Sequence, residues 1–375
     1  MNSRERLNKA LEHKETDRVP IDFGGASVSL IHQASHDRLA RFLNIENLQD
    51  KIHNLMTMCV YVDDRIKKRF GSDVELIQQG KPDSWNLEID KMTKKWTDDW
   101  GCEYKKPEGV MYYEWDHQPL VSAETIKDID NFNWPDPRDP GRYRGIKEKV
   151  VDIFKNTDKA ILVNSAYGIW EQTFSLRSID RALMDLAANQ KFAKYLAERL
   201  FEWLLEYYDL MLSPIGKYVH IVKMDDDLGF RNGPIMSPDI YRSIYKPIHK
   251  KIVEFIKSRT DAKIFIHSDG SIYDFIPDFI DIGIDVINPV EVTARNMGSK
   301  LLKKEFGQDI SFWGGGCDNT ILEKGTPEQV REEVKRRISD FSSDGGFVFG
   351  SIHCIQPFVP PENIVALFDS ALEFG

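Results

Sequence analysis

Short apolar segments alternate with amphipathic segments along the last two thirds of the chain. The apolar segments predict strands at 160–165, 219–224, 263–266, 284–288, 310–313 and 346–350, and the amphipathic segments predict helices at 170–188, 190–213, 237–258, 271–282, 327–341 and 361–373. A strand buried on both faces is a mostly apolar run, as these are. Repeated βα units favour a parallel sheet, and this many favour its closure into a (β/α)8 TIM barrel. An open doubly wound sheet is the alternative.

The first third of the chain has a different pattern. Residues 3–13 have the apolar spacing of a helix, and 18–25 form a short strand pattern that ends in a glycine pair. The segment 73–116 alternates polar and large apolar residues, which is typical of antiparallel hairpins. We therefore predict one α/β barrel domain over 1–375, with an N-terminal helical segment and an aromatic-rich β insertion at 73–116. Two further helices are predicted at 29–43 and 53–70.

The charge balance and the motifs exclude several functional classes. The formal net charge of −10 argues against nonspecific binding to nucleic acid or to an anionic membrane surface. The N-terminus is charged and lacks the apolar stretch of a signal peptide, and the four cysteines form no CxxC pair. We therefore predict reduced thiols and a cytoplasmic location. Neither GxGxxG nor GxxxxGK[ST] occurs, so no dinucleotide or P-loop site is predicted.

Polar and sulfur-bearing side chains follow the predicted strands. The residues at these positions are Asp22, Asn164, Ser165, Asp225, Asp226, Asp227, His267, Asp269, Glu291, Cys317, Asp318, His353 and Cys354. The carboxyl ends of barrel strands meet at one mouth, where imidazole, carboxylate and thiol groups form a plausible Zn²⁺ ligand set. Simpler interpretations stay open, because Asp269 suits a helix N-cap, Glu291 a solvated loop and Cys317 a tight turn.

Several motifs resemble those of the uroporphyrinogen decarboxylase-like superfamily, and the likeness runs nearly from end to end. They lie at 3–7, 17–25, 225–229, 237–241, 267–272, 314–318 and 356–364. The resemblance implies a (β/α)8 barrel. True uroporphyrinogen decarboxylases carry an arginine-rich N-terminal signature that grips the porphyrinogen carboxylates, whereas the matching residues 22–31 contain no arginine. A substrate with eight carboxylates needs such cationic partners.

The chain looks more like the corrinoid-dependent methyltransferase branch, which includes methylcobamide methyltransferases and O-demethylase components. Those proteins bind Zn²⁺ through a His-x-Cys motif and a distant cysteine. His267 and Cys354 match this pattern, but Asp269 stands where the first cysteine would be. The spacing from His267 through Glu291 to Cys354 is also similar to that of the zinc site in cobalamin-independent methionine synthase. The resemblance therefore implies His267, Glu291 and Cys354 as the Zn²⁺ ligands.

The implied function is zinc-dependent methyl transfer from a small methylated substrate, with a methoxylated aromatic (O-demethylation) as the favoured example. The acceptor would be the cob(I)alamin of a separate corrinoid protein, because no Asp-x-His-x-x-Gly signature is present. Zn²⁺ would polarise the leaving heteroatom, and Asp225 or Asp226 would orient the substrate or protonate the leaving oxygen. The aromatic residues of the insertion, with Tyr167 and Trp170, would wall the pocket, and cross-strand packing of the hairpins is the alternative explanation for them. Substrate contacts are predicted for Asp22, Tyr167, Trp170, Asp269, Cys317 and His353.

Three alternatives stay open at this point. The chain could be a metal-free decarboxylase of uroporphyrinogen or a small acid, which would release CO₂ after chelation. It could transfer methyl groups from a methylcorrinoid to a thiol or to tetrahydrofolate. A non-catalytic module would bind a ligand or a corrinoid partner at the barrel mouth without turnover. The methyl donor, the direction of transfer and the oligomeric state, for which a homodimer is one alternative, are left undecided.

Overall fold

The computed structural model describes all residues from Met1 to Gly375. The helices are α1 Ser3–Leu11, α2 Gln33–Phe42, α3 Asp64–Arg69, α4 Ile126–Asp130, α5 Ile146–Asn156, α6 Ile169–Arg177, α7 Ile179–Ala188, α8 Gln190–Leu212, α9 Pro238–Ile240, α10 Lys246–Lys257, α11 Ile276–Ile282, α12 Ser299–Phe306, α13 Asn319–Lys324, α14 Pro327–Phe341 and α15 Pro361–Phe374. A π-helical segment at Tyr241–Tyr245 joins α9 to α10. None of the helices combines the length and the apolar character needed to cross a membrane.

The strands fall into one large sheet and three small ones. They are β1 Ile31–His32, β2 Ile52–Asn54, β3 Cys59–Val60, β4 Val74–Ile77, β5 Lys95–Thr97, β6 Glu103–Lys105, β7 Glu114–His117, β8 Ala160–Val163, β9 Ile221–Asp225, β10 Gly229–Phe230, β11 Gly233–Pro234, β12 Lys263–His267, β13 Val286–Asn288, β14 Ser311–Trp313 and β15 Phe347–Val348. The six strands predicted between residues 160 and 350 are therefore all present.

The large sheet is the wall of a barrel. Its seven strands are parallel and lie in the order β15-β14-β13-β12-β9-β8-β4. Ile21 bridges Phe349, the residue after β15, in parallel, and the Asp73 amide donates to the Ile21 carbonyl just before β4. The segment around Ile21 thus joins the two sheet edges, and no edge is left unpaired. The (β/α)8 barrel is confirmed.

Alternate strand residues fill the interior of the barrel. Leu162, Ile221, Phe265 and Trp313 belong to one buried cluster, into which Leu7 of α1 also packs. Because successive strand residues point to opposite faces, the residues two and four positions beyond Ile221 face the same interior. These positions carry polar groups as the strands approach their carboxyl ends, and there the candidate site lies.

Two predicted boundaries are wrong. The insertion predicted at 73–116 begins too early, because Val74–Ile77 is a buried barrel strand paired in parallel with β8. The helix predicted at 53–70 covers only α3, because its first half forms β2 and β3 and pairs with β1. Strand pairing therefore overrides the local helical spacing there. The single-domain organisation stays a prediction.

The insertion itself is a three-stranded antiparallel sheet of β5, β6 and β7. Trp96 stacks on its cross-strand neighbour Tyr104, with ring centroids 4.2 Å apart. Trp115 meets Phe174 of α6 at 6.1 Å. The first pair is cross-strand packing within the insertion, and the second attaches the insertion to α6.

Candidate metal centre at the barrel mouth

His267 is the last residue of β12, and its ring is held by the neighbouring strand. The Asn288 Oδ1 lies 2.7 Å from His267 Nδ1, and the Asn288 side-chain amide donates to the Trp313 carbonyl at 3.0 Å. The second bond fixes the Asn288 amide so that its oxygen accepts from Nδ1–H of the imidazole. The other ring nitrogen, Nε2, therefore keeps its lone pair, as a metal ligand must.

The turn that follows His267 is fixed by backbone contacts. Ser268 Oγ accepts from the Leu228 amide at 2.9 Å. Gly270 has φ of +81°, and a Cβ at this position would stand 2.5 Å from the Gly229 carbonyl oxygen. Only glycine meets both conditions. This turn brings Asp269 back toward the mouth.

Two imidazoles and a carboxylate converge at the mouth. The ligand atoms of His267, Asp269 and His353 all lie within 4.8 Å of one another. Two nitrogens and one oxygen with positions left open suit a catalytic zinc ion or another first-row divalent metal. Burial lowers the pKa of His353, which keeps its imidazole in the neutral, metal-binding form. Burial also raises the pKa of Asp269 to about 6, so its carboxylate is mostly ionised at neutral pH.

Two further carboxylates support this group. Asp227 Oδ1 accepts from the Asp269 amide at 2.8 Å and lies 3.9 Å from His267 Nε2. Glu291 Oε2 accepts from the Gly270 amide at 2.9 Å. Their negative charge favours a cation between them and the imidazoles.

The structure differs from the predicted ligand set in two members. The Cys354 thiol donates to the Ser27 carbonyl at 3.3 Å and is hydrogen-bonded with the Cys59 thiol. Glu291 is held by a backbone amide. Neither belongs to the group of mutually close ligand atoms, in which Asp269 and His353 take their places. Successive side chains of an extended segment face opposite sides, and the sequence does not show which one faces the mouth.

The carboxylate of Asp226 accepts hydrogen bonds through both oxygens, unlike that of its neighbour Asp225. Asp226 is fully buried and accepts from the amides of Trp170 and Glu171 at 2.7 and 3.0 Å and from His249 Nε2 at 2.8 Å. It therefore caps α6 and anchors that helix to the barrel. Asp225 faces the interior and pairs with Lys223.

The other predicted substrate contacts have partners in the core. Asp22 is fully buried, accepts from the Gly25 amide, Ser29 Oγ and Trp313 Nε1, and has a pKa raised to about 6 by burial. Cys317 is fully buried, which raises its pKa. The structure does not bring either residue into the metal group.

The two predicted aromatic contacts are also packed inside. The Tyr167 hydroxyl donates to the Leu200 carbonyl at 3.0 Å, and Trp170 is fully buried against Tyr245. The first contact ties the segment before α6 to α8, and the second packs α6 against the π-helical segment. A role in substrate binding stays a prediction for both.

Two residues near the mouth are not among the site residues predicted from the sequence. Lys223 is buried in the barrel interior. The sequence indication of its importance is a charged residue inside a mostly apolar strand. Glu171 lies in the first turn of α6, where burial and the neighbouring Asp227 and Asp225 raise its pKa well above the usual range. A first-turn glutamate is ordinary in any helix, so nothing in the sequence distinguishes Glu171 as a functional residue.

Comparisons with known proteins agree on the fold and the family. The sequence model of the uroporphyrinogen decarboxylase (URO-D) family matches residues 106–374. The uroporphyrinogen decarboxylase of Pseudoalteromonas translucida is 28% identical over 150 residues, 38% of this chain and 39% of that protein. That of Psychromonas ingrahamii is 22% identical over 281 residues, 71% of this chain and 74% of that protein.

The aligned regions cover 39%, 21% and 17% of the first three curated relatives, two fifths of their length or less. Among solved structures, a methyltransferase from Methanosarcina mazei superposes with a TM-score of 0.66 at 17% identity, over 100% of this chain and 99% of that one. This likeness shows a shared fold. With the family match over most of its length, the chain belongs to the uroporphyrinogen decarboxylase family.

Proposed function

We propose that this chain is a metal-dependent methyltransferase that takes the methyl group from a small methylated substrate. The acceptor is the cob(I)alamin of a separate corrinoid protein. The observation that carries the proposal is the convergence of His267, Asp269 and His353 at the barrel mouth. These residues would hold a divalent metal, zinc by preference, and the metal would supply Lewis-acid polarisation of the heteroatom that bears the methyl group.

The protein's own residues prepare this site. Asn288 fixes the His267 ring, and Asp227 fixes the Asp269 backbone, so both ligands are oriented before any metal binds. The low pKa of the His353 imidazole keeps it unprotonated at neutral pH. The binding of a metal at neutral pH thus requires little proton release.

The charge of the mouth disfavours the decarboxylase alternative. Asp225, Asp227 and Glu291 add their carboxylates to that of Asp269, and Lys223 is the cation paired among them. A porphyrinogen with eight carboxylates would meet repulsion there. Residues 22–31, which contain no arginine, offer no compensating charge.

Metal analysis and a methyl-transfer assay test the proposal together. We expect about one zinc ion per chain, and we expect transfer from methoxylated aromatics to cob(I)alamin that stops on chelation and returns with zinc. His267→Ala and Asp269→Ala should lose both the metal and the transfer. His117→Ala, which removes an exposed imidazole of β7, is the matched control.

Other results would point to other functions. Release of CO₂ from uroporphyrinogen by chelated protein would support the decarboxylase. Methyl transfer from a methylcorrinoid to a thiol or to tetrahydrofolate would support the reverse direction. Metal-free protein with full transfer activity would contradict the proposal.

A further inference from the structure

Lys223 is a buried cation inside the barrel. It lies in β9 opposite Phe265 of β12, whose ring belongs to the interior cluster, and Asp225 lies opposite His267 one layer higher. Only 1% of Lys223 is exposed. Because lysine is almost never fully buried without a compensating interaction, its place below the candidate metal ligands requires a reason.

The hydrogen bonds of Lys223 are incomplete. Its ammonium carries three N–H donors, and Asp225 Oδ1 is the one protein acceptor that it reaches. The two remaining donors have no protein partner. A buried ammonium that keeps unused donors beside a ligand site is suited to bind an oxygen atom of the ligand.

Lys223 is also close enough to the metal group to act on it. Its positive charge works to lower the pKa of Asp269 and that of His353. The same charge partly offsets the rise in the pKa of Glu171. Lys223 therefore lies near these three side chains, one layer below the end of β12.

We propose that the Lys223 ammonium donates a hydrogen bond to the substrate oxygen from which the methyl group departs. This inference rests on the proposed methyltransferase function and names its substrate class, which is a neutral methyl ether. The methyl–oxygen bond breaks, and its electron pair stays on the oxygen. The acceptor nucleophile supplies the electron pair of the new bond to carbon. The oxygen takes a proton from the Lys223 ammonium, which regains one from solvent.

The charge of the leaving atom selects this class over other methyl donors. An ether oxygen leaves as an anion, and a fixed ammonium stabilises charge that develops in the transition state. A quaternary ammonium or a sulfonium donor starts as a cation and leaves neutral. Such a donor would gain no stabilisation from Lys223 as its methyl group leaves.

A binding experiment with 4-nitrophenol, the product-like probe, tests the proposal apart from turnover. The absorbance of the bound probe reports its ionisation, so a pH titration gives the pKa of the bound phenol. Wild-type protein should bind the phenolate form and lower the pKa of the probe. Lys223→Met should weaken phenolate binding by about tenfold or more, while binding of the neutral phenol changes little.

Two controls keep the test interpretable. Lys223→Met leaves Asp225 buried without its partner, so Lys223→Met/Asp225→Asn is compared with Asp225→Asn, and the two differ only at Lys223. Metal content is measured in every variant, and only preparations with equal occupancy are compared. Lys223→Arg should recover part of the phenolate preference.

The outcomes separate this inference from the proposed function. If phenolate binding depends on Lys223 but the protein transfers no methyl group, the result would support Lys223 as the donor to the bound oxygen. It would also overturn the proposed methyltransferase function. If the protein instead transfers methyl groups while the wild type and the two variants that lack Lys223 bind phenolate equally well, the result would overturn the proposed role of Lys223. A larger loss of transfer for ethers of less acidic phenols in Lys223→Met would support the role.

Discussion

The imidazole rings of His267 and His353 face each other across the barrel mouth with centroids 5.4 Å apart. They come from the end of β12 and from the segment after β15, two strands that β13 and β14 separate in the sheet. Protonation of both rings at this distance would place like charges together, whereas a shared metal would use both lone pairs. Asp269 lies 4.0 Å from His353 Nε2 and completes the group.

The first prediction separates His353 from its neighbour Cys354. His353→Ala should lower zinc affinity by at least about tenfold, because it removes a nitrogen of the group, and Cys354→Ser should keep zinc near the wild-type level. Competition with a chromophoric chelator measures both affinities. The two positions are adjacent, so local disturbance of the segment is nearly matched.

Loss of zinc in Cys354→Ser but not in His353→Ala would contradict the geometric assignment. It would restore the ligand set implied by the resemblance, His267, Glu291 and Cys354. Circular dichroism of each variant excludes unfolding as the cause.

The second prediction concerns Asn288, which touches no metal ligand atom but accepts from His267 Nδ1. Asn288→Ala should weaken zinc binding by roughly 10- to 100-fold, because the ring loses its fixed orientation and tautomer. Asn164→Ala removes the same kind of amide from the end of a nearby strand and should have little effect on zinc affinity. Equal affinities for the two variants would show that His267 needs no orienting partner.

The sequence predicts the barrel well because burial marks its strands directly. A strand covered on both faces is mostly apolar, as 160–163 and 221–222 are, and this pattern needs no tertiary information. The break between α6 and α7 was missed. Ser178 has φ of +69° there, and nothing in its side chain requires that conformation.

The sequence predicts where the candidate site lies but not which side chains compose it. Polar residues after strands identified the mouth, but the direction of each side chain depends on how the loop leaves the strand. His353 and Cys354 exchange roles if that direction changes by one residue. Asp226 looked as reactive as Asp225, because the amides that bind it belong to α6, 55 and 56 residues earlier in the chain.

The third prediction follows from the raised pKa of Glu171, whose largest cause is burial. Because the folded protein holds this proton more tightly than the unfolded chain does, the stability that it contributes is full below the unfolded pKa near 4.5 and is lost as pH rises. Glu171→Gln cannot ionise. Its free energy of unfolding should therefore rise relative to the wild type above pH 4.5, by at most about 1.4 kcal/mol per pH unit.

Urea unfolding at several pH values between 5 and 8 measures this difference. Glu108→Gln, at an exposed position, should follow the wild-type pH dependence. A constant difference between Glu171→Gln and the wild type over this range would contradict the raised pKa.

The fourth prediction concerns Asp226, which the sequence marked as catalytic and the structure places in the core. Asp226→Ala removes the acceptor of two α6 amides and leaves His249 without its partner, so it should lower the free energy of unfolding by about 3 kcal/mol or more. Asp226→Asn keeps one oxygen for the α6 amides. Its amide can donate to His249 Nε2 if the proton moves to Nδ1, which lies 3.2 Å from the Tyr241 hydroxyl.

Asp226→Asn should therefore lower the free energy of unfolding by about 1 kcal/mol and leave the proposed methyl-transfer activity at the wild-type level at temperatures where both are folded. Urea unfolding gives the free energies, and single-turnover transfer gives the activity. If Asp226→Asn is well folded but transfers no methyl group, Asp226 takes part in the reaction. At equal stability the acid and its amide differ in the ability to transfer a proton, so the role would be proton transfer. Activity that declines only in Asp226→Ala, in step with unfolding, would show that Asp226 acts by holding α6 and Glu171 in place.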